Sequence, residues 1–321
     1  MTARRSDRSK RVPEPGPKSS SIPGTAASAR PLGHTAAPAV TFRAPDGFEL
    51  TGHWHQPQRP VAAVAIAPAT GVSQRFYARF AAWLAEHQIA ALTFDYRGVG
   101  RSRTGSLRRL TADFSHWAQD IDGALGWLRE QGIGRRVLLG HSSGGFLAPA
   151  CPEAHSLERL VLVGAQSAYW RDWPLRIRLP MALLWHGVMP VVTSAVGYFP
   201  GRTLRLGEDL PRGVAMEWAT RPWRDPFDRE EMMRGYASAL PPVTLAATTD
   251  DAFATAQALE RVAKRLTGTR VTVRRIAPAE VGRVRLGHFG LFEDPLGRPA
   301  WPLIGALLFP DLFAGESVSP R

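Results

Sequence analysis

The sequence predicts an α/β fold in which helices cover both faces of a mostly parallel β-sheet. Short apolar runs typical of buried strands alternate with stretches whose apolar residues recur at helical spacing. One run, Val137–Gly140, leads directly into the sequence GHSSG at residues 140–144, and helix-compatible residues follow. Alternation of this kind places parallel strands side by side beneath two layers of helices. The length of 321 residues fits one domain with an insertion rather than two independent domains.

The individual elements are predicted from the period of the apolar residues. Aliphatic and β-branched runs bounded by turn-forming residues predict strands at Phe48–His55, Val61–Ala67, Ile89–Asp95, Val137–Gly140, Leu157–Gly164, Val243–Thr248 and Arg270–Ile276. Apolar residues three and four apart predict helices over Phe76–Leu84, Trp117–Glu130, Gln257–Leu266 and Leu303–Phe309.

Ser142 is the centre of a G-x-S-x-G sequence between a predicted strand and a predicted helix, the context that this motif requires. The turn is so tight that the residues two before and two after the serine, Gly140 and Gly144, must be nearly free of side chain. It presents the hydroxyl at a helix N-terminus, whose amides favour negative charge. We therefore predict that Ser142 is a nucleophile. The alternative is a glycine-rich loop without chemistry.

A serine nucleophile needs a base that accepts its proton and an acid that orients the base. With this nucleophile turn, the order along the chain is Ser, then Asp or Glu, then His. Asp250 and Asp251 follow the strand Val243–Thr248, and the only later histidine is His288, in a glycine-flanked sequence. We predict His288 as the base rather than an ordinary loop histidine. Asp251 is preferred to Asp250 as the acid because it lies further out on the loop.

A second segment, FDYRGVGRS at residues 94–102, is similar to the D-x-R-G-x-G-x-S sequence that follows an early core strand in many α/β-hydrolases. With the nucleophile turn, it makes the chain resemble the α/β-hydrolase superfamily over about residues 40–315. The sequences GYFPG at 197–201 and GEDLP at 207–211 resemble a bacterial branch near the lysophospholipase-like and serine-aminopeptidase-like hydrolases. The resemblance implies an α/β-hydrolase fold, and ester or amide hydrolysis through an acyl-enzyme.

The resemblance also implies an oxyanion hole formed by two backbone N–H groups. One belongs to Ser143, which directly follows the nucleophile. The other comes from the loop after the strand Val61–Ala67, where this chain has Pro68 and Ala69 in place of the His-Gly of many relatives. By position we expect the second donor to be the amide of Thr70, with Gly71 and Val72 as alternatives.

The alternation of strands and helices is interrupted between about residues 168 and 239. We predict a disordered tail at 1–38, a first core part at 39–167, an inserted cap at 168–239 and a second core part at 240–321. Half of the ten tryptophans lie in the cap: Trp170, Trp173, Trp185, Trp218 and Trp223. They suit either the walls of an apolar pocket or a small core within the cap.

The cap contains an uncharged stretch, Leu179–Gly201, of 23 residues, which is long enough to span a bilayer. Pro180, Pro190 and Pro200 make it a poor spanning segment. We predict a broken helix that lines an acyl pocket and no transmembrane span.

The first 38 residues are rich in Arg, Ser, Pro and Ala, and contain too few large apolar residues to fold. Arg4 and Arg5 are not followed by the apolar segment of a secretion signal, so we expect a cytoplasmic protein. The formal net charge of +12 comes mostly from scattered arginines, without a recognised nucleic-acid motif. We expect no specific nucleic-acid partner, but weak attraction to anionic lipid surfaces.

The single cysteine, Cys151, excludes an intrachain disulfide and is expected to be a small buried thiol. His53 and His55 lie on one face of a strand but lack a third ligand of suitable spacing, so no metal or other cofactor is predicted. His141, at the variable position of the turn, is expected to pack or to support the site.

Two classes of function agree with these residues. The first is a serine hydrolase of a lipid-like or small carboxylic ester, which uses Ser142, His288 and Asp251; an amidase, peptidase or acyltransferase would use the same residues. The second is a catalytically idle protein of this fold that binds a ligand or a partner. The presence of all three residues favours the first. Dehalogenase or epoxide-hydrolase chemistry would need an aspartate in place of Ser142.

Overall fold

The computed structural model describes residues 37–220 and 230–314. The strands within these ranges are β1 (Ala39–Arg43), β2 (Glu49–His55), β3 (Ala62–Ala67), β4 (Ile89–Phe94), β5 (Arg136–His141), β6 (Arg159–Val163), β7 (Tyr198–Phe199), β8 (Leu210–Pro211), β9 (Val243–Thr248) and β10 (Val271–Ile276). Each of the seven strands predicted from the sequence is present, within two residues at either end. Residues 1–36 of the predicted tail lie outside the described ranges.

Eight of these strands form one sheet in the order β1-β2-β4-β3-β5-β6-β9-β10. The pairs from β4 to β10 are parallel, whereas β2 pairs antiparallel with both β1 and β4. The predicted mostly parallel sheet is therefore confirmed. Strand β1 was not predicted, because it is an edge strand in which only Phe42 is buried. An edge strand with one buried side chain lacks the apolar run that marks the central strands.

The helices of the described ranges are α1 (Ala78–Glu86), α2 (Phe114–Glu130), α3 (Ser143–Leu147), α4 (Leu175–Ala182), α5 (Met189–Val196), α6 (Gly201–Leu204), α7 (Arg212–Thr220), α8 (Glu230–Ala237), α9 (Ala256–Ala263) and α10 (Trp301–Leu308). Helix α2 begins three residues before its predicted start, because Asp113 caps it. The Asp113 side chain accepts hydrogen bonds from the N–H groups of Ser115 and His116, which have no partner within the helix.

The apolar core lies in two layers, one on each face of the sheet. On strand β5, Leu138 packs in the layer that contains Trp117 of α2, whereas Leu139 packs in the layer that contains Phe80 of α1 and Trp301 of α10. Consecutive residues of a strand point to opposite faces, so a strand covered on both faces is apolar throughout. This arrangement explains the uninterrupted apolar runs of the sequence.

The segment between β6 and β9 carries helices α4 to α8 and the antiparallel pair β7–β8. We call residues 168–239 the cap segment, and its boundaries remain a prediction. Residues 221–229, including Trp223, lie outside the described ranges. Trp185 contacts Trp173 and Trp218, with ring centroids 4.7 Å and 5.7 Å apart, so three of the predicted tryptophans pack together.

The prediction of a broken helix in the cap segment is wrong. Helix α4, a π-helical segment at Leu183–Val188, and α5 form one continuous helix at Leu175–Val196, which we call the cap helix. The π segment ends two residues before Pro190, and such a local widening accommodates a residue that cannot donate a backbone hydrogen bond. The cap helix has 22 residues and a mean hydropathy of 1.5, so by length and composition alone it could cross a membrane.

Candidate active site

Ser142 occupies the sharp turn between β5 and α3, with φ 53° and ψ −114°. Such a conformation is strained for a residue with a side chain. The flanking glycines are required by the close approach of the backbone, as predicted. A Cβ atom at Gly140 would lie 2.5 Å from the Cα of Gly145, and one at Gly144 would overlap the carbonyl oxygen of Ala67. The predicted turn is therefore present.

The structure brings Ser142, His288 and Asp251 together. The distance from His288 Nε2 to Ser142 Oγ is 2.9 Å, and the distance from His288 Nδ1 to Asp251 Oδ2 is 2.7 Å. The second carboxylate oxygen of Asp251 accepts hydrogen bonds from the N–H groups of Phe253 and Ala254, at 2.8 Å and 2.9 Å. Ser142 and Asp251 are both buried. His288 thus contacts both other side chains, and two backbone N–H groups hold Asp251 in position.

The hydrogen bonds around Asp251 define where the protons lie. Burial raises the pKa of Asp251, but the attraction of His288 and the hydrogen bonds from His288, Ala254 and Phe253 outweigh it and hold this pKa below its ordinary value. An ionised carboxylate can only accept hydrogen bonds, so His288 Nδ1 carries the proton. The lone pair of His288 Nε2 then faces the Ser142 hydroxyl and can take its proton.

Asp250 contacts the backbone of the same loop rather than the imidazole. Its Oδ2 accepts hydrogen bonds from the N–H groups of Leu286 and Gly287, at 2.9 Å and 3.0 Å. Thr248 Oγ1 donates a hydrogen bond to the carbonyl oxygen of Gly287. The two adjacent aspartates therefore contact different parts of the His288 loop. In the structure Asp251, and not Asp250, contacts the His288 imidazole, and the choice of Asp251 as the acid stays a prediction.

The loop at residues 68–72 is fixed from both sides. Tyr96 Oη donates to the carbonyl oxygen of Pro68, and the N–H of Ala69 donates to Tyr77 Oη at 3.0 Å. The N–H of Val72 donates to the carbonyl oxygen of Ala69. In the part of the chain that the structure describes, the N–H groups of Thr70 and Gly71 have no such acceptor. Of the three candidates for the second oxyanion donor, Val72 is thus already engaged.

Ser143 and the two other candidates, Thr70 and Gly71, lie near Ser142. Ser143 is the first residue of α3, where an N–H group has no partner within the helix. Thr70 lies in the wall of the same pocket as Ser142. Its Oγ1 is buried and has no hydrogen-bond partner among the described residues. Nothing in the sequence distinguishes this hydroxyl, because only the folded loop buries it.

A pocket of about 200 Å³ opens beside Ser142 and His288. The cap segment supplies apolar walls from Met181, Leu184, Trp185, Met189, Phe199, Leu206, Leu210 and Trp218. The core supplies Ala69, Thr70, Gly71, Ser142, Gln166, Phe253, His288 and Phe289. No Asp, Glu, Lys or Arg of the described residues lines this pocket. It suits an uncharged, largely apolar group.

The segment at residues 94–102 is held in place by buried polar contacts near the loop at residues 68–72. Asp95 accepts hydrogen bonds from the N–H groups of Gln74 and Arg101, and Arg97 forms a buried ion pair with Asp120 at 2.7 Å. Asp95 thus fixes the start of the segment that leads into α1, and Arg97 connects residues 94–102 to α2. Their contacts are structural.

No group of His, Cys, Asp and Glu residues within the described ranges could hold a metal ion. Cys151 is buried, as predicted, and burial raises the pKa of its thiol well above the ordinary value. A buried neutral thiol is a poor nucleophile.

Comparison with known proteins places the chain in a family. The family model described as serine aminopeptidase, S33, matches residues 58–221, which is half of the chain. No curated protein matches it by sequence.

Solved structures share the fold at low identity. A soluble variant of monoglyceride lipase from Saccharomyces cerevisiae in complex with a substrate analog is 15% identical with a TM-score of 0.62, covering 86% of this chain and 96% of that one. An esterase from Exiguobacterium antarcticum is 17% identical with a TM-score of 0.56, covering 84% and 98%. The monoacylglycerol lipase of Paleococcus ferrophilus is 16% identical with a TM-score of 0.53, covering 81% and 98%. Together with the family match, the sheet and the nucleophile turn, this likeness identifies the chain as an α/β-hydrolase of the S33 serine aminopeptidase family.

Proposed function

We propose that the chain is a serine hydrolase of carboxylic esters with an uncharged, apolar acyl group. The observation that carries this proposal is the hydrogen-bonded series Ser142–His288–Asp251 at the wall of an apolar pocket. A serine, a base and an orienting acid in hydrogen-bond contact are the parts that acyl transfer requires.

In the proposed reaction, Ser142 Oγ attacks the ester carbonyl carbon while its proton passes to His288 Nε2. The N–H groups of Ser143 and Thr70 stabilise the negative charge that develops on the carbonyl oxygen. His288 then gives the proton to the leaving alcohol oxygen, which leaves an acyl group on Ser142. A water molecule then gives a proton to His288 Nε2 and attacks the acyl carbon. The bond from this carbon to Ser142 Oγ breaks, His288 returns the proton to Oγ, and the acid leaves. Asp251 keeps the Nδ1 proton in place and stabilises the imidazolium in both halves.

The pocket favours an ester over an aminopeptidase substrate. A peptide with a free N-terminus carries an ammonium group, and its recognition in a desolvated site needs a carboxylate. No acidic side chain of the described residues lines the pocket. The apolar walls instead suit the acyl chain of a small or lipid-like ester.

Reaction with a fluorophosphonate probe tests the proposed nucleophile. Wild-type protein should gain one probe by intact mass, whereas Ser142→Ala should gain none. His288→Ala should react slowly, because it lacks the base that activates the serine. Ser156→Ala, a control that removes an exposed hydroxyl outside the pocket, should react as wild type does. Absence of labelling in folded wild-type protein would favour the idle ligand-binding alternative.

Hydrolysis of p-nitrophenyl esters of increasing chain length, compared with p-nitroanilides of single amino acids, tests the substrate class. We expect turnover of the esters and little of the anilides. Because a serine nucleophile and its histidine base act as a unit, Ser142→Ala, His288→Ala and their combination should lose similar activity, on the order of 10⁶-fold in kcat. A higher kcat/KM for the anilides would overturn the ester assignment.

A further inference from the structure

The cap helix, Leu175–Val196, has apolar residues on two opposite faces. Residues at four-residue spacing form an inner row: Ile177, Met181, Trp185, Met189 and Thr193. A second series at the same spacing forms an outer row: Leu175, Leu179, Leu183, Gly187 and Val191. The inner row is half-buried at its start and buried from Trp185 onward.

The π segment keeps these two rows on their own faces. In a regular α-helix, residues spaced by four drift by about 40° per step, or about 160° from Leu175 to Val191. Such a drift would carry the outer row to the opposite face of the helix. The π segment at Leu183–Val188 has more residues per turn and offsets the drift. The helix therefore has one apolar face toward the cap interior and another toward solvent.

The outer row is exposed in the described part of the chain. Leu175 and Leu179 are 77% and 79% exposed, and Leu183 and Val191 are each 67% exposed. Large contiguous apolar surfaces on a folded protein mark an interaction site. Leu206 and Phe289, which line the active-site pocket, are also exposed, so apolar surface is present at the pocket as well.

The charges of the cap helix and of the residues that follow it in the sequence indicate the kind of partner. From Leu175 to Gly207 the chain has four arginines and no acidic residue. Arg176 and Arg205 are exposed and form no ion pair with another described residue. Leucines flanked by free arginines are the pattern of an interfacial helix on anionic lipid. A second copy of this chain would bring like charges together, which disfavours it as the partner.

We propose that the outer row of the cap helix and its arginines form a peripheral docking surface for an anionic lipid bilayer. The helix lies parallel to the membrane plane, with the leucines among the acyl chains and the exposed Arg176 at the lipid phosphates. Spanning the bilayer instead would remove the buried Trp185 from its contacts with Trp173 and Trp218. This proposal does not rest on the proposed ester hydrolysis, because binding is measured without turnover.

Co-sedimentation of the full-length chain with vesicles tests the docking surface. One set of vesicles contains phosphatidylcholine alone, and the other contains equal parts of phosphatidylcholine and phosphatidylglycerol. Wild-type protein should sediment with the mixed vesicles and should be released by salt, because exposed charges are screened. Leu179→Gln combined with Leu183→Gln should weaken binding by about tenfold or more, because each leucine loses apolar area that the membrane would bury.

A matched double variant separates this surface from apolar exposure in general. Val61→Gln combined with Val273→Gln removes two exposed residues, before β3 and in β10, and should bind as wild type does. The proposal is overturned if neither vesicle binds, if both vesicles bind equally, or if the Leu179/Leu183 variant binds like wild type. It is also overturned if bound protein resists high salt and alkaline extraction, which would indicate a spanning helix. Loss of a dimer in the Leu179/Leu183 variant, with no vesicle binding by wild type, would assign the surface to a second copy.

Discussion

The imidazole of His141 lies 3.0 Å, at Nε2, from the backbone carbonyl oxygen of His288. Its other nitrogen, Nδ1, lies 2.7 Å from Tyr77 Oη. Burial, followed by the nearby His288, lowers the pKa of His141 to about 3, so the ring is neutral and has one N–H. A carbonyl oxygen can only accept, so this N–H is at Nε2, and Tyr77 donates to Nδ1.

These hydrogen bonds connect the two loops of the candidate site, the loop at residues 68–72 and the loop that carries His288. Tyr77 Oη also accepts the N–H of Ala69, the residue before the proposed oxyanion donor Thr70. A series of three hydrogen bonds therefore runs from the 68–72 loop through Tyr77 and His141 to the backbone of His288. We infer that Tyr77 and His141 are positioning residues that hold the base and the oxyanion loop in a fixed relation.

Tyr77→Phe tests this relation. The variant removes one hydroxyl, which leaves His141 Nδ1 and the Ala69 N–H buried without partners, at a cost of about 1–3 kcal/mol in stability. Because small displacements of reacting groups reduce the rate, we expect kcat to fall by about tenfold or more, with a smaller change in KM. Steady-state kinetics on the best ester measures both.

Tyr236→Phe is a matched control for that experiment. Tyr236 is a buried tyrosine whose hydroxyl donates to the carbonyl oxygen of Phe146 at 2.8 Å, outside the series that reaches His288. It should lose comparable stability and keep most of its kcat. Equal losses of kcat in the two variants would show that Tyr77 acts only through general stability.

His141 also predicts how stability depends on pH. Its pKa is about 3 in the folded protein and near the ordinary value of 6.5 when unfolded, so acid protonates the unfolded chain first. Its contribution to the free energy of unfolding is complete above pH 6.5 and falls as the pH drops from 6.5 toward 3. Relative to His141→Asn, the wild type should lose up to about 1.4 kcal/mol for each pH unit below that point.

Urea unfolding of both proteins at several pH values above and below 6.5 measures this difference. Other groups, such as the carboxylates and His55, contribute to the pH dependence of each protein but largely cancel in the comparison. A difference in unfolding free energy that stays constant across the range would show that His141 does not remain neutral in the folded state.

The two adjacent aspartates should respond differently to the same substitution. Asp251→Asn places an amide against His288 Nδ1 and favours the wrong tautomer, so kcat should fall by about 10⁴-fold. Asp250→Asn keeps an oxygen that can accept from the N–H groups of Leu286 and Gly287, so its loss should be under about tenfold, the order of one weakened hydrogen bond. Kinetics of the two variants side by side, with circular dichroism to confirm folding, provides the measurement. The reverse ranking would assign the acid to Asp250.

The parts of the site that could be predicted from the sequence are those fixed by local geometry or by chain order. Gly140 and Gly144 could be predicted because the turn itself excludes a Cβ at both positions. His288 could be predicted as the candidate base because it is the only histidine after the two aspartates in the sequence. The positions of the central strands could also be predicted, since a strand buried on both faces must be apolar throughout.

The parts that could not be predicted depend on contacts between distant segments. Tyr77 and His141 are 64 residues apart, and nothing in either local sequence indicates that they share a hydrogen bond. The π segment of the cap helix was missed because prolines at 180 and 190 indicate interruption, whereas the packing of the inner row keeps the helix continuous. The periodicity of a sequence indicates which face of a helix is apolar. It does not indicate which turn of the helix widens into a π segment.

The buried hydroxyl of Thr70 gives the sharpest test of the oxyanion loop. Polar atoms that are buried without a partner are rare, and Thr70 Oγ1 is one of them among the described residues. We expect its partner to be an oxygen of the bound substrate. Thr70→Val keeps the shape and the backbone N–H but removes this donor. It should lower kcat/KM by about 10-fold to 100-fold, the range for a lost hydrogen bond to developing charge.

The same variant should not be destabilised, because it removes a buried polar group that has no partner in the free protein. Thr70→Ser, which keeps the hydroxyl, should retain activity closer to that of wild type. Kinetics and thermal unfolding of the three proteins separate the two effects. A Thr70→Val protein that loses stability but keeps its kcat/KM would show that the hydroxyl supports the loop and does not contact substrate. Activity lost with unchanged stability, and restored by serine, is the result that a substrate contact requires.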